Sequence, residues 1–334
     1  MSTLLDVSKE AGVSIASVSL YINGKSNGRV SEETQERIRL AIEKTGYKPT
    51  RKKVSLSENN SKTIAILWSE SARFSFIGSF FSGFQSALKD LNLTSKYDFV
   101  IHPFKPDELY KKKDILLNKE YSGAVIANTS YSDIQYLRSM TMNIPVVLLN
   151  RRIPTIHGVY VDNNKIAYEA AKIIQSKGYD SIATVMSANS TTMISERFVK
   201  FIEYCKELNI TIINEHQFQV EDSIIGGQRA AHDFLKLQNK PKAIFSSTDS
   251  IAYGIENALL KQNFTIPKDV AILSYGFNVP EITKYAYVPI STIDMPTFEL
   301  ARECILLLHK IIDSGIYEVQ HKEMRHILNM RESM

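Results

Sequence analysis

Ser14, Ile15, Ala16, Ser17, Ser19 and Leu20 gather hydroxyls and compact apolar groups in one short stretch, a set suited to the edges and backbone of duplex DNA. Ser17 and Ser19 can reach phosphates or bases, and Ile15 and Ala16 can meet thymine methyl groups. Two short helices must position them. Thr3 can cap a first helix whose Leu4, Val7 and Ala11 share one face, and Gly12 frees the backbone for a tight turn. Ser14 then caps a second helix that turns Val18 and Ile22 inward. Helices crossing through such a turn can place the second of the pair in the major groove, as a helix-turn-helix does. A third helix starts at Ser31, carries Glu32 and Glu33 where the helix dipole favours acids, and buries Ile38, Ala41 and Ile42 as a brace. Thr3, Asn23, Arg29 and Tyr47 complete the candidate DNA surface of this headpiece, residues 1–49.

Charge agrees with that reading. Residues 1–62 hold 11 Lys and Arg against 7 Asp and Glu, while the other 29 basic and 29 acidic residues cancel. All the excess positive charge sits on the small N-terminal module, where phosphate neutralisation and counterion release supply non-specific affinity. The 334 residues exceed one small core, so two or three domains are expected. No run approaches the roughly 18 uninterrupted apolar residues of a membrane span, and the N-terminus opens with helix chemistry instead of a signal peptide, so a cytoplasmic location is expected. Cys205 and Cys304 each lie in an amphipathic helical pattern and read as reduced core residues.

Beyond Lys62, apolar β-rich runs alternate with amphipathic helical stretches, the pattern of parallel sheets wound with helices. Strands are expected at 63–68, 99–103, 123–127, 145–149 and 159–161, then at 181–186, 243–246 and 270–274. Helices are expected at 165–176, 195–208, 225–237 and 250–261. The polar run Glu58-Asn59-Asn60-Ser61 makes 50–61 a linker.

The ordered motifs resemble the lactose-repressor (LacI/GalR) family of transcription regulators. Its opening pattern is met by Asp6-Val7-Ser8, Ala11-Gly12-Val13-Ser14, Val18-Ser19 and Asn23-Gly24, then by Val30-Ser31 and Tyr47-Lys48-Pro49. Its late motifs are met by Ile266-Pro267-Lys268-Asp269-Val270-Ala271, Thr292-Ile293-Asp294-Met295-Pro296 and Arg331-Glu332-Ser333, so the resemblance spans the chain. It implies an α/β architecture: an all-α headpiece, a hinge, and a two-lobed core of the periplasmic-binding-protein type at 62–334. Lobe one would comprise 62–161 and 292–319, lobe two 162–291 and 320–334, with crossings near Asp162, Ser291 and Gln320. Leu56 stands where relatives wedge a leucine into the minor groove. Lys52, Lys53 and Val54 replace the family's usual hinge residues, which leaves open whether the hinge folds on DNA; Arg51 beside them is a further candidate DNA contact. Leu20 replaces an arginine that reads guanine; it is either a DNA contact of different specificity or a displaced core residue.

The same resemblance implies a small-molecule effector between the lobes. Phe76 matches an aromatic that can stack on it, and Arg197 a clamping arginine. Asp162 and Asp249 match positions used either for hydroxyl recognition or as helix caps. Asn150 replaces an aspartate, Thr248 an asparagine, and Gly276-Phe277 stands where an acid commonly follows an aromatic such as Tyr275. With Arg73, Arg151, Arg152 and Arg197 in candidate cleft loops, fewer acids favour an anionic ligand such as a phosphorylated sugar over a neutral one. A homodimeric repressor on a near-palindromic operator is expected. No leucine heptads follow Arg331-Glu332-Ser333, so no tetramerisation tail is expected.

Three other classes of function compete with this reading. No Walker loop, nucleophile elbow, dinucleotide glycine fingerprint or zinc-binding histidine pair is present and the seven histidines share no spacing, so no catalytic residue, cofactor or metal ligand is assigned. A free-standing sugar-binding protein would have no use for residues 1–56. A regulator controlled by a protein co-effector stays open.

Overall fold

The computed structural model describes residues 3–22, 26, 30–47, 62–70, 74–188, 192–276, 280–315 and 318–334, without the side chains of 74–76, 192–194 and 280. The chain divides into two compact units, residues 1–60 and 61–334.

The first unit holds α1 (Leu4–Ala11), α2 (Ile15–Ile22) and α3 (Glu32–Thr45). Thr3 and Asp6 form a reciprocal capping box at the start of α1, and Gly12 ends it with φ +62°, where a side chain would be strained. Ser14 Oγ accepts from the Ser17 amide at 3.1 Å and caps α2. The resulting core is small: Val7, Ala11, Val18, Ile38 and Ala41, with Leu4, Ile22, Ile42 and Tyr47 packed beside them. Arg37 Nη2 donates to the Ala11 carbonyl at 2.6 Å and ties α3 to the turn. Thr3→Ala removes one cap and should cost about 1 kcal/mol of headpiece stability, visible as an earlier first transition when the full chain is heated. The Thr3 hydroxyl and amide hold the Asp6 carboxyl below its usual 3.8. Because that value is depressed on folding, the contribution is present above the unfolded value and fades as pH falls through the folded one. The variant keeps the backbone amide and should lose only the hydroxyl's share of this acid-side dependence.

The second unit contains two α/β lobes. Lobe one runs β1 (Lys62–Ser69), α4 (Phe74–Asp90), β2 (Tyr97–Phe104), α5 (Lys113–Leu117), β3 (Gly123–Ala127), α6 (Tyr131–Ser139), β4 (Val146–Leu149) and β5 (His157–Val161). Lobe two runs α7 (Asn163–Ser176), β6 (Ala183–Ser187), α8 (Thr192–Glu207), β7 (Gln217–Val220), α9 (Ile224–Lys236), β8 (Ala243–Ser246), α10 (Asp249–Lys261), β9 (Ala271–Gly276), α11 (Pro280–Lys284) and β10 (Ser291–Asp294). Then α12 (Thr297–Ser314) and β11 (His321–Met324) return to lobe one, and β12 (Ile327–Asn329) to lobe two. The sheets are ordered β11-β5-β4-β3-β1-β2 and β12-β10-β9-β8-β6-β7, and among the described strands only β12 is antiparallel.

The chain therefore crosses between lobes at Asp162, at Met295-Pro296 and at Arg325-His326. The last two crossings lie a few residues beyond the expected Ser291 and Gln320. Ser291–Asp294 pairs in parallel with Leu273–Gly276 of β9, and His321–Met324 with Gly158–Val161 of β5. A four-residue strand carries no mark of which sheet will take it; the open edge beside it decides. The late motifs act here as staples. Ser333 Oγ accepts from the Ser291 amide at 2.7 Å and donates to the Ile272 carbonyl at 2.6 Å, and Arg331 Nη1 donates to the Ile290 carbonyl.

One apolar cluster runs through both lobes, from Ile64, Val125, Val147 and Phe84 to Phe201, Phe245, Leu273 and Tyr275. Separate clusters fill the outer helix layers. In one of them α9 and α10 touch at Gly227 and Gly254: a Cβ on Gly227 would stand 2.1 Å from the Ile251 carbonyl oxygen. Both cysteines are buried, and burial pushes the Cys205 thiol up to about 12 and the Cys304 thiol well above its usual value, so neither is a ready nucleophile. Among the described residues no helix is long and apolar enough to cross a membrane, and no group of three or more His, Cys, Asp or Glu could hold a metal.

Candidate functional site

In the headpiece, α2 divides by helical spacing. Val18 is fully buried and Ile22 packs beside it, which turns Ala16, Ser19 and Leu20 to the opposite side, with Ile15 at its edge. Ile15 is 46% exposed and Ala16 is exposed; Leu20 is half-buried and, among the described residues, lies outside the packed headpiece cluster. The hydroxyls are less available. Thr3 Oγ1 bonds Asp6, and Ser14 and Ser17 bond each other at 3.0 Å, so these three serve caps before any DNA contact. Tyr47 packs against the headpiece core. Asn23, Arg29, Arg51, Lys52, Lys53 and Leu56 lie outside the described residues.

In the core, the sheets' strand orders reverse between β1 and β3 and between β6 and β8, and ligands of such folds bind beyond the carboxyl ends of the strands at these points. The sequence-derived residues fall in two sets, one just beyond β4 and β5 and the other in lobe two. Asn150, Arg151 and Asp162 line a groove of about 890 Å³ at the lobe junction, with Arg152, Tyr160, Asn163, Ser195, Glu196 and Lys200. Arg197, Thr248, Asp249 and Tyr275 are buried and do not line it.

Asn163 joins the two sets. It follows the Asp162 cap in the groove wall, and its Oδ1 accepts from Arg197 Nε and Nη2 at 3.2 and 3.1 Å. The Arg197 guanidinium lies 5.1 Å above the Tyr275 ring, which meets Phe245 edge-on at 4.8 Å, and Phe245 stacks on Phe201 at 3.9 Å. Burial draws Arg197 down to about 10 and raises the Tyr275 hydroxyl. Asp294, at the second crossing, is raised by burial and by nearby Asp249.

Several of these residues also make structural bonds. Asp162 Oδ1 accepts from the Asn164 amide at 2.8 Å and caps α7. The cap of α10 is Thr248, not Asp249: its Oγ1 accepts from Ile251 and donates to Asp222 at 2.8 Å, while Asp249 sits in the first turn. Asn150 takes φ +55° and its Oδ1 accepts from the Val161 amide, so it ties β4 to β5. Phe76 lies in the first turn of α4 with its side chain outside the description, and Phe277 is outside it altogether. Asn163 and Glu196 had no assigned role in sequence, although each adjoins a residue that did.

The model of bacterial regulatory proteins of the lacI family matches residues 3–50, and that of the periplasmic binding protein-like domain matches 171–334. A LacI family transcription regulator from Clostridium acetobutylicum, solved as a crystal structure, is 34% identical with TM-score 0.76, over 81% of this chain and 100% of that one. The chain belongs to the LacI family. This LacI-family protein is a DNA-binding transcriptional regulator with a ligand-binding core. It is 26% identical over 340 residues to the transcriptional repressor PurR of Actinobacillus pleuropneumoniae, covering 100% of this chain and 98% of that one. The lac repressor dimer bound to operator and the anti-inducer ONPF shares the fold, with TM-score 0.69 at 19% identity over 99% of this chain and 98% of that one.

Proposed function

We propose that this regulator is a cytoplasmic repressor that binds a near-palindromic operator as a homodimer and releases or grips it according to a sugar-like effector held between the lobes of its core. The observation that carries the reading is the division of α2, which packs Val18 and Ile22 and leaves Ile15, Ala16, Ser19 and Leu20 outside the packed cluster. A helix presenting methyl groups reads thymine-rich half-sites, and two-fold symmetry pairs them one helical turn apart. The lac repressor structure, a dimer on operator, supports that assembly. The relatives are regulators, which supports a binding role without catalysis.

Selection from a random duplex pool with the full chain tests this. Enrichment of a palindrome with thymine at mirrored positions is expected; featureless, salt-sensitive binding would overturn sequence-specific recognition. Leu20→Arg extends the test. A guanidinium there supplies a bidentate guanine reader, so the variant's selected sites should gain guanine at one mirrored position with about 1–3 kcal/mol of discrimination. An unchanged motif would remove Leu20 from the interface.

A further inference from the structure

Arg151 follows β4 in lobe one and is only 6% exposed. Among the described residues, lobe one holds its guanidinium through Thr129: Nε donates to Oγ1 at 3.3 Å and Nη2 to the carbonyl at 2.7 Å. Nη1 faces the other lobe, where Glu196 of α8 presents Oε2 at 3.4 Å. That contact is long for a charge-assisted bond, which normally spans about 2.7–2.9 Å. The partners are also unequal, since the Glu196 side chain is 48% exposed and keeps much of its hydration. Arg197 adds a second positive charge nearby, and Glu196 acts electrostatically on both guanidinium groups. Burial draws Arg151 down to about 10, the mark of a cation poorly compensated for its loss of water. The groove opens onto this pair and carries three further cations, Arg138, Arg152 and Lys200; Lys200 pairs with Glu203 at 2.6 Å and Arg152 lies above the Tyr160 ring.

Given the effector-controlled reading above, we propose that Arg151 is an anion seat held by Glu196 until a small molecule bearing a carboxylate or phosphate group takes its place. A mobile oxoanion can settle against the planar guanidinium at ordinary bond lengths, whereas Glu196, tethered to α8, reaches one N–H at the limit of bonding. The exchange also breaks an ion pair that spans the two lobes. Anion occupancy and lobe separation are thereby linked through a differential contact, as any ligand-driven shift requires. A neutral sugar leaves the pair intact.

Isothermal titration of the full chain with inorganic phosphate and with acetate, at ionic strength matched by chloride and with glucose as neutral control, tests the seat. Glu196→Gln removes the competing charge and should tighten phosphate or acetate about three- to fivefold, the fold-change matching the upper range of a half-exposed ion pair. Glucose should not distinguish the variant from the parent, and Arg151→Gln should abolish the anion response. A response to phosphate alone supports the seat and assigns it to phosphorylated ligands; a response to acetate alone assigns it to carboxylates. Equal titration of parent and Glu196→Gln by both anions, or an undiminished response in Arg151→Gln, overturns it. Should Arg151→Gln fail to fold, the Glu196→Gln comparison decides. Operator selection run in parallel separates the two readings: a flat anion titration with intact selection sinks only the seat, and failed selection sinks the regulator reading instead.

Discussion

Val18→Asp abolishes operator binding while residues 61–334 stay folded. Val18 is fully buried at the centre of a cluster of five buried side chains. A carboxylate there has no partner, and an unpaired buried charge costs about 3–5 kcal/mol. A unit of the headpiece's size holds roughly 2–7 kcal/mol in total, so the substitution removes most or all of it. Loss of α2's orientation should lower operator affinity by at least roughly a hundredfold, the equivalent of about 2.7 kcal/mol. Calorimetry of the full chain should show the early transition gone and the later one unmoved. Retained operator binding at normal affinity would mean that α2 does not carry recognition.

Phe245→Ala strikes the other unit. Phe245 is fully buried, stacks on Phe201 and meets Tyr275, on whose ring Arg197 rests. Removing a ring from a packed core costs about 3–5 kcal/mol through lost transfer energy and the cavity left behind. For a unit of this length that lowers the melting temperature by roughly 5–9 °C. The Arg197 guanidinium also loses the support that fixes its ring platform. The expected result is a lowered second transition with the headpiece transition unchanged; a shift of only a degree or so would show that the Phe201-Phe245-Tyr275 column does not support the lobe.

These two predictions rest on features of different legibility. The headpiece could be read directly, because Thr3, Gly12, Ser14 and the spacing of Val7, Ala11 and Val18 are local signals, and the caps and buried faces formed as that spacing predicts. The parallel sheets were legible for a similar reason: strands buried on both faces make continuous apolar runs such as Ile64 to Leu67. Strand β10 was not, since Ser291-Thr292-Ile293-Asp294 is short and polar at both ends, and only the open edge of β9 identifies its sheet. Nor did sequence separate ligand contacts from caps. The oxygens of Asp162, Thr248 and Asn150 suit hydroxyl recognition and equally suit the bonds they accept from the backbone amides of Asn164, Ile251 and Val161. Glu196 escaped notice because an exposed acid on an amphipathic helix looks like a solvated residue until Arg151, 45 residues earlier, is brought beside it.

The central claim is that the state of the core sets the headpiece's grip on operator. The decisive measurement is fluorescence anisotropy of the selected operator against the full chain, with and without a small molecule first shown by thermal shift to bind residues 61–334. The account predicts that this ligand moves operator affinity at least about tenfold, or 1.4 kcal/mol of coupling, while affinity for random duplex stays the same. A ligand that binds the core and leaves operator affinity unchanged, or shifts specific and random binding equally, would contradict it.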